Sequence, residues 1–182
     1  MSWLNIVSAH YENFWGVAVK DTFRAGPMFD GRTDFEILKF QPKPSRNFWT
    51  YATCGMSTKE EDTGIELHIF SAIESEEVSE ILAATAHYHR NRSRLNLGHT
   101  VNFGKPWIEG SHAQYGLISL PYLDGPDLET LELPENVLKF YWMIPITGAE
   151  REYKKSNGLE SLEETFDRSN FDYANPYRNS LL

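Results

Sequence analysis

One cysteine stands in 182 residues, Cys54, so the chain can form no internal disulfide. That fits a reducing compartment. No apolar run approaches the ~18–20 residues that a membrane-spanning helix needs. The longest, Val137 to Ile146, is interrupted by Lys139. The opening residues, MSWLNIVSAHYENFWG, have no basic start, no unbroken apolar stretch and no small-residue cleavage site. A secretory signal is therefore not expected, and a cytoplasmic protein without membrane contact is. Positive charge is also scarce: 17 Lys and Arg face 26 Asp and Glu, a net charge of −9. Phosphate backbones repel such a surface, so nucleic acid is not an expected partner. The acidity keeps a protein soluble, and it would steer a basic partner.

Catalytic signatures are missing too. There is no glycine-rich phosphate loop and no Gly-x-Ser-x-Gly elbow. Cys54 lies inside an apolar strand pattern, where a core thiol is the simpler reading than a nucleophile. His87 and His89 are two apart in a helical pattern, so they point ~200° apart and cannot share a metal. His99 and His112 lack metal-ligand spacing with them. No metal or cofactor is expected. The acidic run Glu60, Glu61 and Asp62 falls in the turn Thr58–Gly64, where charge is normally solvated. Asn102-Phe-Gly104 and Gly110 read as ordinary turns.

Core-forming residues are abundant. Hydrophobic residues make up 41% of the chain, with 11 Phe and 5 Trp, enough for a sizeable core without disulfides. No repeat or linker divides the chain. The expectation is one domain over 1–182, with its core at about 34–166 and a looser, polar tail from about 171. Trp3, Val7, His10 and Phe14 recur at helical spacing, and Gly16 stops that helix. Strands are expected at Phe35–Phe40, Phe48–Cys54 and Ile65–Phe70. In the third, Ile65, Leu67 and Ile69 share one face, and Glu66 and His68 on the other predict a wet side. Ser75 caps a central helix with Val78, Ile81, Leu82, Thr85, Tyr88 and His89 on one stripe, and Gly98 closes the segment. Further strands are expected at Tyr115–Leu120 and Leu138–Ile146, the second apolar on both faces and so doubly covered. Thr147 and Glu150 form a capping box for a short helix broken at Asn157-Gly158. Leu159, Leu162 and Phe166 mark a last one. Strands come in runs, which predicts an α+β fold: a single mixed or largely antiparallel sheet of about six strands with helices packed on it.

Several of these segments resemble the suppressor-of-fused domain family. Phe48-Trp-Thr-Tyr-Ala-Thr-Cys-Gly-Met-Ser57 is similar to its Trp-x-Tyr strand ending in Gly-hydrophobic-Ser. Gly64-Ile-Glu-Leu-His-Ile-Phe70 is similar to the Gly-x-Glu-Leu strand that follows. The Glu77–Tyr88 helix, Gly98-His-Thr-Val101, Gly116-Leu-Ile-Ser-Leu-Pro121, Ile144-Pro-Ile-Thr147 with Glu150, and Gly158 with Leu162 complete the series in order. The resemblance spans roughly Asp34 to Phe166. It implies a mixed α/β sandwich that binds proteins. Animal members restrain Gli-type transcription factors in Hedgehog signalling by clamping an extended peptide between this domain and a second one. A chain of 182 residues has room for the first alone. That form looks bacterial, and bacterial members include proposed immunity proteins against polymorphic toxins.

By the same resemblance, Trp49 and Tyr51 fall on the strand near the family's peptide groove, and Glu60, Glu61 and Asp62 on its acidic loop. An edge strand with aromatic side chains and nearby carboxylates would take an extended basic peptide by β-augmentation. Trp49 and Tyr51 share one face, and that face also suits a core. The expected function is protein binding without catalysis, at its sharpest an immunity protein holding a basic toxin domain or an extended peptide. A cytoplasmic adaptor or regulator without a toxin is the alternative, and a hydrolase built on Cys54 or the histidines is the third.

Overall fold

A computed structural model describes residues 2–182. Its chain order is α1 (Trp3–Trp15), β1 (Val19–Lys20), β2 (Glu36–Phe40), β3 (Trp49–Cys54), β4 (Thr63–Ser71), α2 (Glu76–Asn91), β5 (Thr100–Asn102) and β6 (Ala113–Ser119). Then follow α3 (Pro126–Glu129), β7 (Thr130–Glu132), β8 (Val137–Thr147), α4 (Gly148–Asn157) and α5 (Leu159–Arg168). One open, mixed sheet runs β1-β2-β3-β4-β8-β6-β5, and β7 pairs with β8 beside that path. All pairings are antiparallel except the central one, β4 with β8. The α+β class stands as expected. The strand number does not: β1, β5 and β7 are two or three residues long, too short to print an alternating pattern.

The sheet is covered on both faces. Ile65, Leu67 and Ile69 of β4 meet Val78, Ile81 and Leu82 of α2 on one side. Phe140, Trp142 and Ile144 of β8 meet Val7, Tyr11 and Leu162 from α1 and α5 on the other. This double cover corrects the expected wet side of β4, because Glu66 and His68 are wholly buried. Alternation shows two faces but not whether the second meets water or a further layer.

Local signals set the boundaries. Ser2 caps α1 and Gly16 ends it. The expected helical stripe is rotated slightly, with Val7, His10, Tyr11 and Trp15 buried. Ser75 caps α2 by accepting from Glu77 N, while Glu76 and Glu77 sit at its positive end. α2 ends at Asn91, short of Gly98. Thr147 and Glu150 make the reciprocal capping box of α4, and Gly158, at φ 92°, turns the chain directly into α5.

The stretch beyond Phe171 is docked, not loose. Phe171, Tyr173 and Ala174 pack on the α1 side of the sheet. Arg178 donates to both Glu150 carboxylate oxygens at 2.7 Å and to Pro145 O at 3.0 Å. Leu181 N also reaches Glu150, at 3.1 Å. A run of polar residues reads as solvated unless its charge partner is known, and here the partner is buried Glu150.

Candidate functional site

The residues singled out from sequence fall into two separate places. Tyr51 is buried, and its hydroxyl accepts from Ser75 N at 2.9 Å, bracing the start of α2. Trp49 is half-buried beside it, with Lys39 Nζ 5.5 Å from its ring centre. β3 has β2 on one side and β4 on the other, so this strand offers no free edge. The acidic turn lies at the opposite end of the sheet: Trp49 pairs with Ser71, whereas the turn leads into Thr63. Eight residues of extended chain separate those ends, about 26 Å.

Within the turn, Glu60 and Asp62 face outward at the surface and Glu61 turns in. Burial would raise the Glu61 carboxyl, but hydrogen bonds from His89 and Arg94 prevail and hold it at about 2. Ser57, His89 and Glu61 therefore meet, at 3.2 and 3.6 Å, yet not as a nucleophile–base–acid relay. Both partners approach His89 Nε2, while Nδ1 accepts from Leu95 N at 2.9 Å. A relay needs the acid and the hydroxyl on different nitrogens. Ser57 is also fully buried. Cys54 is buried as well, donates to Leu4 O, and has its thiol pushed far up by burial and then by Glu66. Thiolate reactivity is suppressed in such a place. Among the described residues, no three His, Cys, Asp or Glu side chains converge to hold a metal.

The feature that sequence reading missed is the other end of the sheet. Among the described residues, β5 is an edge strand, paired only with β6. Phe103 N donates to Gln114 O and Ile118 N to His99 O, so alternate residues from His99 to Phe103 face β6. The N–H and C=O groups of Thr100 and Asn102 therefore point outward. Beside them runs a groove of about 690 Å³. One wall is α2, presenting Ile81, Thr85 and Tyr88, the last 45% exposed. The other is α4, presenting Arg151, Lys154 and Lys155. The helices lie on opposite faces of the sheet, so the groove is a slot in the sheet plane, open to one more strand. Its far end, at Leu95 and His99, adjoins a hollow lined by Glu60 and Glu61. The segment Gly98–Gly104 resembles a turn because its strand is only three residues long. The alternation of Val101 and Phe103 between two glycines was the only available signal.

Comparison with known proteins agrees with this architecture. No curated protein matches the chain. Among solved structures, a chain from Neisseria gonorrhoeae described as a suppressor of fused homologue aligns with TM-score 0.82 and 31% identity, over 99% of this chain and 97% of that one. The Sufu–Fu complex contains a chain alike with TM-score 0.73 at 14% identity, over 98% of this chain and 92% of that one. Drosophila Suppressor of Fused aligns with TM-score 0.71 at 15% identity over 97% of this chain, which spans half of it. At such identities the last two bear on the fold alone. Residues 31–179 match the Suppressor of fused protein family, SUFU, and with the ordered motifs and the bacterial likeness the chain belongs to that family.

Proposed function

We propose that this protein is a non-catalytic protein-binding domain that takes an extended segment of its partner as an added strand along β5. The observation that carries this reading is the outward-facing backbone of Thr100 and Asn102 in a slot between α2 and α4. An added strand gains main-chain hydrogen bonds from such an edge and side-chain contacts from the walls. The fully committed surroundings of Cys54 and His89 leave no free nucleophile–base pair and favour binding over hydrolysis. A structure named for a complex of Sufu with Fu supports a protein partner for this fold.

Within that function, the narrower role we propose is immunity: the chain neutralises a cognate bacterial toxin. The likeness to the Neisseria gonorrhoeae chain supports a bacterial setting. Of the residues marked from sequence, we assign Glu60 to the surface at the end of the slot, Glu61 to the inward contacts with His89 and Arg94 behind it, and Asp62 to the exposed turn beside them. Trp49 and Tyr51 we assign to support of α2.

Thr100→Pro tests the strand-addition reading. The substituted N–H points away from β6, so the sheet keeps its own hydrogen bonds. Partner capture by the native-like variant should fall at least about tenfold, the scale of one or two lost hydrogen bonds with their desolvation. Unchanged capture would place the partner elsewhere. The immunity role is tested by co-expression with candidate toxin domains from the source genome: growth rescued by the wild-type chain supports it, and no rescue from any of them favours an adaptor.

A further inference from the structure

The groove carries a charge opposite to that of the whole molecule. The protein has 26 acidic against 17 basic side chains, yet among the described residues three Lys and Arg and no carboxylate line this slot. Arg151 lies with its guanidinium 4.7 Å from the centre of the Tyr115 ring. Lys154 donates to Gly98 O, and Lys155 is about half exposed. Glu152, just outside the lining, meets Arg151 at 2.6 Å and Lys155 at 3.2 Å. It offsets one of the three charges and leaves the wall net positive.

The cations are confined to one wall. Val101 and Phe103 pack with Ile81 in the core on the α2 side of the sheet. Tyr88 extends that apolar wall. Arg151, Lys154 and Lys155 stand on the α4 side, where Tyr115 and Tyr153 join the other core. In any strand, successive side chains point to opposite faces. A strand lying in this slot therefore sends every second side chain to an apolar wall and the ones between to a cationic wall.

Resting on the strand-addition reading, we infer that the occupant of the slot is an extended protein segment in which apolar and acidic residues alternate. The slot thus selects sequence pattern as well as charge. A basic segment would place its cations against Arg151 and Lys155, and a uniformly acidic one would bury carboxylates against Ile81 and Val101 without partners. Acidic charge in the occupant is thereby confined to alternate positions.

Three short peptides of one length test this by amide chemical shifts of the ¹⁵N-labelled full chain at peptide concentrations reaching the millimolar range. They alternate valine with glutamate, with lysine or with serine. The expected result is a shift of Thr100, Asn102 and their α2 and α4 neighbours, with the glutamate peptide about tenfold tighter than the serine one, as two or three partly screened pairs provide. The double variant Arg151→Glu with Lys155→Glu, both on the surface, should keep its circular dichroism and prefer the lysine peptide. Lys154 is left intact because it holds Gly98. Equal binding of all three peptides at β5 would overturn the acidic preference and leave strand addition standing. Tighter binding of the lysine peptide would also overturn it. No shift at Thr100 or Asn102 with any peptide would overturn both readings. Shifts there that follow protein concentration alone would overturn the acidic occupant, since a second copy of this chain would then fill the slot.

Discussion

Two buried side chains show how a residue is set by what surrounds it. His68 lies mid-β4 with its ring centre 5.0 Å from Trp15 and 5.2 Å from Phe70. Burial, and then Arg46 nearby, lowers its pKa well below the usual value, so the folded protein holds it neutral. As pH falls below about 6.5 the unfolded chain takes up the proton first, and stability declines. His10 acts in the same sense. Glu66 acts in the opposite one: burial raises it to about 7 against the hydrogen bonds of Thr53, Met56 and Gly55, so its ionisation destabilises the fold as pH rises from about 4.5 to 7. The comparison is thus a difference. The pH dependence of urea midpoints between pH 6.5 and 5 should be shallower on its acid side for His68→Phe than for wild type. Tyr51 gives a second expectation. Tyr51→Phe removes one hydrogen bond to Ser75 N and should cost about 1 kcal/mol, whereas Tyr51→Ala should cost about 3–5 kcal/mol. Chemical denaturation measures both, and a Tyr51→Ala loss below about 1 kcal/mol would move the residue out of the core.

At the scale of elements, the docked C-terminal stretch is the least expected part of the fold. Glu150 caps α4 and also receives Arg178 and Leu181 N, so one buried carboxylate ties a helix start to the chain end. Arg178→Ala leaves that carboxylate without its cation. It should destabilise the protein by about 3–5 kcal/mol and speed amide exchange in residues 174–181 ahead of the rest, read by hydrogen exchange. The long elements were legible in the sequence. Helical periodicity located α1 and α2, the capping box located α4, and apolar continuity identified β8 as doubly covered. What escaped was information that no local pattern holds: the short edge strands, the layer over Glu66 and His68, and the partner of Arg178. The site was the least legible part, because an edge is defined by the absence of a neighbouring strand. Gly98–Gly104 reads as a turn until the sheet order of the described residues is seen to end there. Trp49 and Tyr51 stood out by resemblance to the family's Trp-x-Tyr strand, yet their strand is interior.

The whole molecule sets the long-range field, and the groove sets the short-range one. A net charge of −9 repels an acidic segment at a distance, while Arg151 and Lys155 attract it at contact. Added salt screens the first over about 10 Å at 0.1 M. Stopped-flow association of the glutamate–valine peptide should therefore not slow as salt rises from about 0.01 to 0.1 M, and the complex should dissociate faster. Association that slows steeply would mean that the cationic wall dominates at every distance.

The central pairing of β4 with β8 also orders events in time. Thr63 pairs with Val137 and His68 with Trp142, so the middle of the sheet joins segments far apart in the chain. During synthesis at ~5–20 residues per second, β4 waits several seconds for β8 to be made. Until then the apolar edge of β4 is an open template for other strands. A nascent chain of this protein is thus most exposed to misassembly just before its last quarter appears, and its folding is governed by loop closure across that interval more than by any local element.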